Sequence, residues 1–133
     1  MAGFTPDEGE NFLGNFIYKN VSTDRGTNLQ LGLFTNSSVN ETTTLSAITE
    51  PTGGSYARKT LTDASWTVTN DTSTYAAQTF TAGSGGYTGS VRGYFTATTG
   101  TTPKLLHIEV DAAGPYTLAE NDTYTINLSN VVA

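Results

Sequence analysis

Residues 53–61 read Gly-Gly-Ser-Tyr-Ala-Arg-Lys-Thr-Leu, and a turn at residues 62–64 leads to Ser-Trp-Thr-Val at residues 65–68. Two adjacent glycines permit backbone angles that side chains forbid, so the long polar tract before them can turn here. The residues that follow are typical of a strand, a turn and a second strand, and they include the only tryptophan, Trp66. We therefore predict a β-hairpin at this point, with an arm and a loop before it and further strands after it.

The composition indicates an all-β domain. The chain has 133 residues, which suits one domain that buries roughly two-thirds of its unfolded surface. Its polar residues are mostly Thr, Ser, Asn and Gly; Thr packs well on pleated strands, and Asn and Gly suit turns. We predict a single β-sandwich over residues 21–133, of jelly-roll or immunoglobulin-like topology, preceded by an N-terminal helical arm over residues 1–20.

Charge and cysteine content exclude several classes of function. The net charge is −6, and the six Lys and Arg residues form no basic stripe that could neutralise phosphates, so we expect no nucleic-acid partner. There is no cysteine to build a disulfide framework or a thiolate metal site. No stretch is typical of a signal peptide or is apolar enough to span a bilayer, so we expect no membrane partner and no secretion.

The first twenty residues predict a short amphipathic helix. Residues 5–8 read Thr-Pro-Asp-Glu, which is typical of a capping box with proline at the first helical position. The apolar residues that follow lie on one face of a helix. This face either covers an edge or face of the chain's own sheets or docks on a partner subunit. Its four members are candidates for a protein interface: Phe12, Leu13, Phe16 and Ile17.

The polar tract over residues 35–52 is longer than most loops in a compact domain. Leu45, Ala47 and Ile48 predict a short helical turn inside it, ended by Pro51. Loops of this kind often carry binding residues, so we add Leu45 and Ile48 to the interface candidates.

Periodic patterns predict the remaining strands, which fall at residues 29–34, 75–81, 89–96, 104–110 and 123–132. We expect Val91 and Phe95 to share a face. Alternation in the next strand predicts that Leu106, Ile108 and Val110 face one way, and Leu105, His107 and Glu109 the other. In the last strand we expect Tyr124, Ile126 and Leu128 on one face.

The residues predict no catalytic, cofactor or metal site. His107 is the only histidine and stands between apolar strand residues, so we expect it to face solvent or a hydrogen-bond partner. Glu109 and Asp111 could serve paired-carboxylate chemistry or calcium binding, but no calcium-binding loop is present, and turn carboxylates usually bond backbone amides. Five aromatic residues form either a platform for sugars or part of the core, and small sandwiches favour the core: Tyr56, Trp66, Tyr75, Tyr87 and Tyr94.

Several short motifs occur in an order that resembles a family of small virion structural proteins of tailed bacteriophages. The motif residues lie at 31–36, 48–50, 54–58, 61, 66, 91–95, 105–106 and 109, within roughly residues 29–132. The most distinctive of them is Ile-Thr-Glu at residues 48–50, followed by Gly-Ser-Tyr-Ala-Arg at residues 54–58. Proteins of this kind are capsid decoration (cement) proteins or small tail-associated components.

The resemblance implies a role for the chain. Decoration proteins typically form trimers on the outer capsid surface and bridge neighbouring capsomers. We therefore expect a non-enzymatic virion protein that is made in the host cytoplasm and has no cofactor. Its expected partners are the major capsid protein and further copies of itself in a homotrimer. The alternative is a tail-associated structural or receptor- or carbohydrate-binding module.

Overall fold

The computed structural model describes the backbone of residues 3–131 and the side chains of residues 3–130. These residues form one α-helix, two short 3-10 helices and eight strands in two antiparallel sheets. The strands are β1 (Gly3–Phe4), β2 (Leu29–Phe34), β3 (Lys59–Leu61), β4 (Thr67–Thr69), β5 (Thr72–Thr81), β6 (Gly93–Ala97), β7 (Leu105–Val110) and β8 (Thr123–Val131). The helix α1 spans Asp7–Lys19, and the 3-10 helices span Leu45–Ala47 and Asp63–Ser65. The larger sheet has the order β1-β7-β6-β2-β3, and the smaller sheet β4-β5-β8.

Both sheets contribute to one apolar cluster, because alternate residues of each strand point to the same side. Ile126 and Leu128 share a face of β8 and are buried in this cluster, with Tyr124 packed against it, as predicted. The buried members are Leu31, Leu33, Leu61, Phe80, Ala82, Tyr87, Val91, Tyr94, Leu118, Ile126 and Leu128.

A second apolar cluster lies on the other face of the larger sheet. It contains Phe34, Phe95, Ala97, Leu105 and Ile108, and the partly buried Phe4, Val39, Leu45 and Ile48 pack against it. The predicted helical turn at Leu45 is present, and it brings the 35–52 loop onto this cluster. The larger sheet is therefore covered on both faces, which explains why all five residues of β6 are buried.

Helix α1 is present where the pattern predicts it, but the predicted capping box is wrong. The N-cap is Pro6, and no side chain caps the helix. Glu8 Oε2 instead accepts backbone hydrogen bonds from Leu45 and Leu105, each 2.8 Å long. The carboxylate therefore attaches the helix to the loop and to β7.

Gly9 lets the helix backbone approach β7 closely. A Cβ at this position would lie 2.7 Å from the carbonyl oxygen of Leu105 and 2.8 Å from that of Leu106. A glycine inside a helix costs roughly 1 kcal/mol relative to alanine. Here that cost is offset by packing of α1 against the strand.

The predicted hairpin over residues 53–68 is wrong, although both of its strands exist. β3 pairs with β2 in the larger sheet, and β4 pairs with β5 in the smaller sheet. The 3-10 helix Asp63–Ser65 connects the two sheets instead of reversing the chain within one of them. The turn at the glycines is present, with φ of 72° at Gly53 and 54° at Gly54.

Two face assignments are also wrong. Val91 lies in the first cluster and Phe95 in the second, because β6 begins only at Gly93. In β7 the register shifts, so that Thr96 lies opposite His107 and Ala97 opposite Leu105. Such a bulge inserts an extra residue and breaks the alternation of faces, so Leu105 is buried beside Ile108.

Candidate functional site

The four interface candidates on α1 differ in how far they are exposed. Phe12 is 8% exposed and belongs to the core of the chain, whereas Leu13 and Phe16 are half-buried. Ile17 is 66% exposed and therefore offers the most free apolar surface of the four. Sequence reasoning missed the adjacent Tyr18, which is 89% exposed. Its position next to the apolar stripe was the available signal.

The two loop candidates lie against the larger sheet. Leu45 and Ile48 are half-buried and pack on the second cluster. The backbone N–H of Leu45 donates to Glu8, which also accepts from β7. The loop is therefore fastened to the sheet, and Leu45 and Ile48 have less free surface than Ile17.

The most distinctive sequence motif forms a polar network. Arg58 makes an ion pair with Glu50, with Nη2 and Oε2 2.9 Å apart, and a second hydrogen bond from Nε. The Tyr56 hydroxyl donates to Glu50 Oε1 at 2.7 Å and accepts from the backbone N–H of Leu33 at 2.9 Å. The pKa of Arg58 is raised mainly by its hydrogen bond to Glu50. Burial, opposed by the Leu33 N–H and assisted by Glu50, raises the pKa of the Tyr56 phenol.

This network extends the hydrogen bonding of β2 beyond the end of β3. The ladder between the two strands ends where Leu31 pairs with Lys59. The Leu33 N–H lies past that point, and the Tyr56 hydroxyl takes the place of a strand partner. The motif therefore stabilises the fold, and nothing in its geometry indicates catalysis.

A cleft of about 430 Å³ opens between α1, β7 and the ends of the smaller-sheet strands. This volume is within the range of small-ligand sites, roughly 300–1,000 Å³. Apolar side chains make up much of the lining, and Arg25 and Asp63 contribute one charge of each sign. The lining residues are Thr5, Leu13, Arg25, Leu29, Asp63, Trp66, Val68, Ser73, Leu106, His107 and Asn130. We call this the end cleft.

The unpartnered polar atoms of the described residues concentrate around the end cleft. Trp66 Nε1, His107 Nε2 and Asn130 Oδ1 are buried without a hydrogen-bond partner, and all three residues line the cleft. The other two such atoms belong to Tyr94 and Thr96. Thr96 pairs with His107 across the strands, and the Tyr94 ring centroid lies 6.2 Å from that of His107.

His107 is only 9% exposed and its buried Nε2 has no hydrogen-bond partner, so the prediction that it faces solvent or a hydrogen-bond partner is wrong. Burial lowers the pKa of His107, which favours the neutral imidazole. The error arises because the larger sheet is covered on both faces: His107 lies opposite Thr96 in this sheet, and a side chain on either face of β7 is shielded from water.

The aromatic residues do not form an exposed platform. Tyr94 and Tyr87 are buried, and Tyr56 packs edge-on to Tyr87 with ring centroids 5.5 Å apart. Trp66 packs edge-on to Tyr75 at 5.1 Å. Of the five aromatics, Trp66 alone lines the end cleft.

Asp111, a candidate for paired-carboxylate chemistry, makes hydrogen bonds that stabilise the fold. Asp111 accepts hydrogen bonds from the Tyr124 hydroxyl and from the backbone N–H of Ala113, at 2.9 and 3.0 Å. Across residues 3–130, no three His, Asp or Glu side chains come together as a metal site.

Comparison with known proteins adds no assignment: no family model, curated protein or solved structure matches this chain. Among the described residues, none of the helical segments has the length and apolar character needed to cross a bilayer.

Proposed function

We propose that the chain is a non-enzymatic structural protein of a tailed-bacteriophage virion, which decorates the capsid and stabilises it by bridging capsid subunits. The short sequence motifs, which occur in an order that resembles the virion family, support this role. We also propose that the two sheets form a single β-sandwich, because both contribute residues to one buried cluster.

The observation that carries the proposal is the exposed apolar end of α1. Ile17 and Tyr18 are 66% and 89% exposed, while the start of the same helix is fixed to β7 through Glu8. A helix held at one end presents its exposed residues in a fixed geometry. Apolar side chains exposed in this way suit contact with another subunit, because association removes them from water.

The proposed partners are the major capsid protein and further copies of the chain in a homotrimer. A trimer gains avidity because its second and third contacts with the shell are effectively intramolecular. The protein would be made in the host cytoplasm and lie on the outer capsid surface. Its net charge of −6 disfavours nucleic acid as a partner.

Light scattering on the purified protein, followed by co-sedimentation with undecorated capsids, tests the proposal. We expect a trimer that binds capsids, and weaker binding or trimerisation for Ile17→Asp. The matched control is Val110→Asp, at an aliphatic side chain that is 40% exposed and lies on β7. A monomer at micromolar concentration that does not sediment with capsids would contradict the proposal.

The end cleft favours a second candidate, a tail-associated structural or receptor-binding module. Trp66, Asp63 and Asn130 line this cleft, and an aromatic ring beside a few polar groups is typical of small-ligand sites. A glycan array with reproducible hits that are lost in Trp66→Leu would support this candidate, whereas an array without hits would reject its carbohydrate-binding form.

A further inference from the structure

The end cleft contains polar groups that the described chain leaves unsatisfied. A buried polar atom without a hydrogen bond typically costs about 1–3 kcal/mol, so several of them in one place call for an explanation. Trp66 Nε1–H is a donor, and Asn130 Oδ1 is an acceptor. The neutral imidazole of His107 can supply either function at Nε2. An occupant that fits must therefore offer both an acceptor and a donor.

The charges of the cleft indicate an occupant without net charge. Arg25 and Asp63 contribute opposite charges to the lining. Arg25 Nη1 already donates to the carbonyl oxygens of Gly26 and Thr27, at 2.9 and 2.7 Å. The two charges leave the lining without net charge, and the wall residues Leu13, Leu29 and Leu106 favour an apolar group.

The cleft also borders a free sheet edge. β4 is the terminal strand of the smaller sheet, and all three of its residues are exposed. Val68 on this strand is 67% exposed and lines the cleft. Extended peptides bind at such edges through main-chain hydrogen bonds, while alternate side chains enter a neighbouring pocket.

We infer that the end cleft binds an extended segment of a partner polypeptide that presents an uncharged apolar side chain beside its backbone amides. A peptide combines the donor, the acceptor and the apolar group, whereas a lipid tail lacks the first two and a saccharide has little of the third. Because the unpartnered atoms of Trp66, His107 and Asn130 are buried, binding includes a rotation of the side chains that line the cleft. The identity of the partner rests on the proposed function, but the chemistry of the cleft does not.

The test uses the full chain and a minimal probe, N-acetyl-L-leucinamide, which has two amides and one apolar side chain. Trp66 is the only tryptophan, so its fluorescence reports on the cleft directly. For a probe of about twelve heavy atoms we expect saturable binding with a dissociation constant of roughly 1–10 mM. N-acetylglycinamide, which lacks the side chain, should bind at least about tenfold more weakly.

Two variants locate the binding. Asn130→Leu should weaken the probe about fivefold while leaving the unfolding midpoint unchanged or higher, since it removes an acceptor that has no partner. Val68→Asp should weaken binding by a similar factor at an exposed position where folding is not disturbed, and Val110→Asp should leave it unchanged.

Four results would overturn the inference. They are no saturable change in Trp66 fluorescence with N-acetyl-L-leucinamide, equal affinity for N-acetylglycinamide, equal effects of Val68→Asp and Val110→Asp on binding, and saturable binding of methyl glucoside, used as a sugar probe, in place of the leucinamide. Failure of the capsid experiment with retained probe binding would reject the virion role and keep the peptide cleft. A protein that sediments with capsids but does not bind the probe would reject the peptide cleft and keep the virion role.

Discussion

Replacing Tyr56 with phenylalanine removes one oxygen atom from the network formed by Glu50, Tyr56 and Arg58. The hydroxyl donates to Glu50 Oε1 at 2.7 Å and accepts the backbone N–H of Leu33 at 2.9 Å. The ring keeps its place between Phe80 and Tyr87, whose centroids lie 5.9 and 5.5 Å from its own. Tyr56→Phe therefore isolates the contribution of the two hydrogen bonds.

The expected loss in the free energy of unfolding is about 2–4 kcal/mol. A hydrogen bond to a charged acceptor contributes roughly 1.5–3 kcal/mol, and leaving the N–H of the buried Leu33 without a partner costs about 1–3 kcal/mol. The ion pair limits the total, because Arg58 still satisfies Glu50. A domain has only about 5–15 kcal/mol of stability, so the variant should melt roughly 6–15 °C below the wild type.

Urea unfolding monitored by the fluorescence of Trp66 measures this difference, with protein concentration held constant. The m-value should not change, because the substitution alters stability and not the surface exposed on unfolding. The matched control is Tyr18→Phe, where the ring is 89% exposed; its effect should be below about 0.5 kcal/mol. A Tyr56→Phe protein within about 0.5 kcal/mol of the wild type would refute the structural role assigned to the network.

Two further predictions concern stability. Glu8→Ala should lower the free energy of unfolding by roughly 2–3 kcal/mol, since the N–H groups of Leu45 and Leu105 lose their acceptor. The control is Glu10→Ala at an exposed position, which should change the free energy of unfolding by less than about 0.5 kcal/mol in the same urea assay. The free energy of unfolding should fall as the pH drops from 7 to 5.5. The pKa of His107 is lowered in the folded chain, so the unfolded chain binds the proton first as the pH falls. Below pH 6.5 this lowers the free energy of unfolding by up to about 1.4 kcal/mol per pH unit. His107→Gln should reduce this slope, and an unchanged slope would show that His107 is not the group responsible.

Sequence patterns that act over a few residues predicted their elements well. The strand at Leu29–Phe34 has the predicted bounds, and α1 lies within the predicted arm. The turn at Gly53 and Gly54 also follows from local chemistry, because positive φ is easily adopted without a side chain. The periodicity of β8 also predicted that Ile126 and Leu128 lie on one face, which is buried in the core, because alternate residues of a strand point to the same side.

Contacts between distant residues were decided only by the tertiary structure. The sequence by itself determined that the chain is rich in β-strands with one amphipathic helix, since periodicity and turn residues act locally. It did not determine that β3 and β4 lie in different sheets, that Glu8 bonds a strand 97 residues away, or that a bulge places Leu105 beside Ile108 in the core. Strand partners and burial depend on which surfaces meet when the chain closes. The end cleft arises from that closure, because helix, loop and strand residues far apart in sequence line it together.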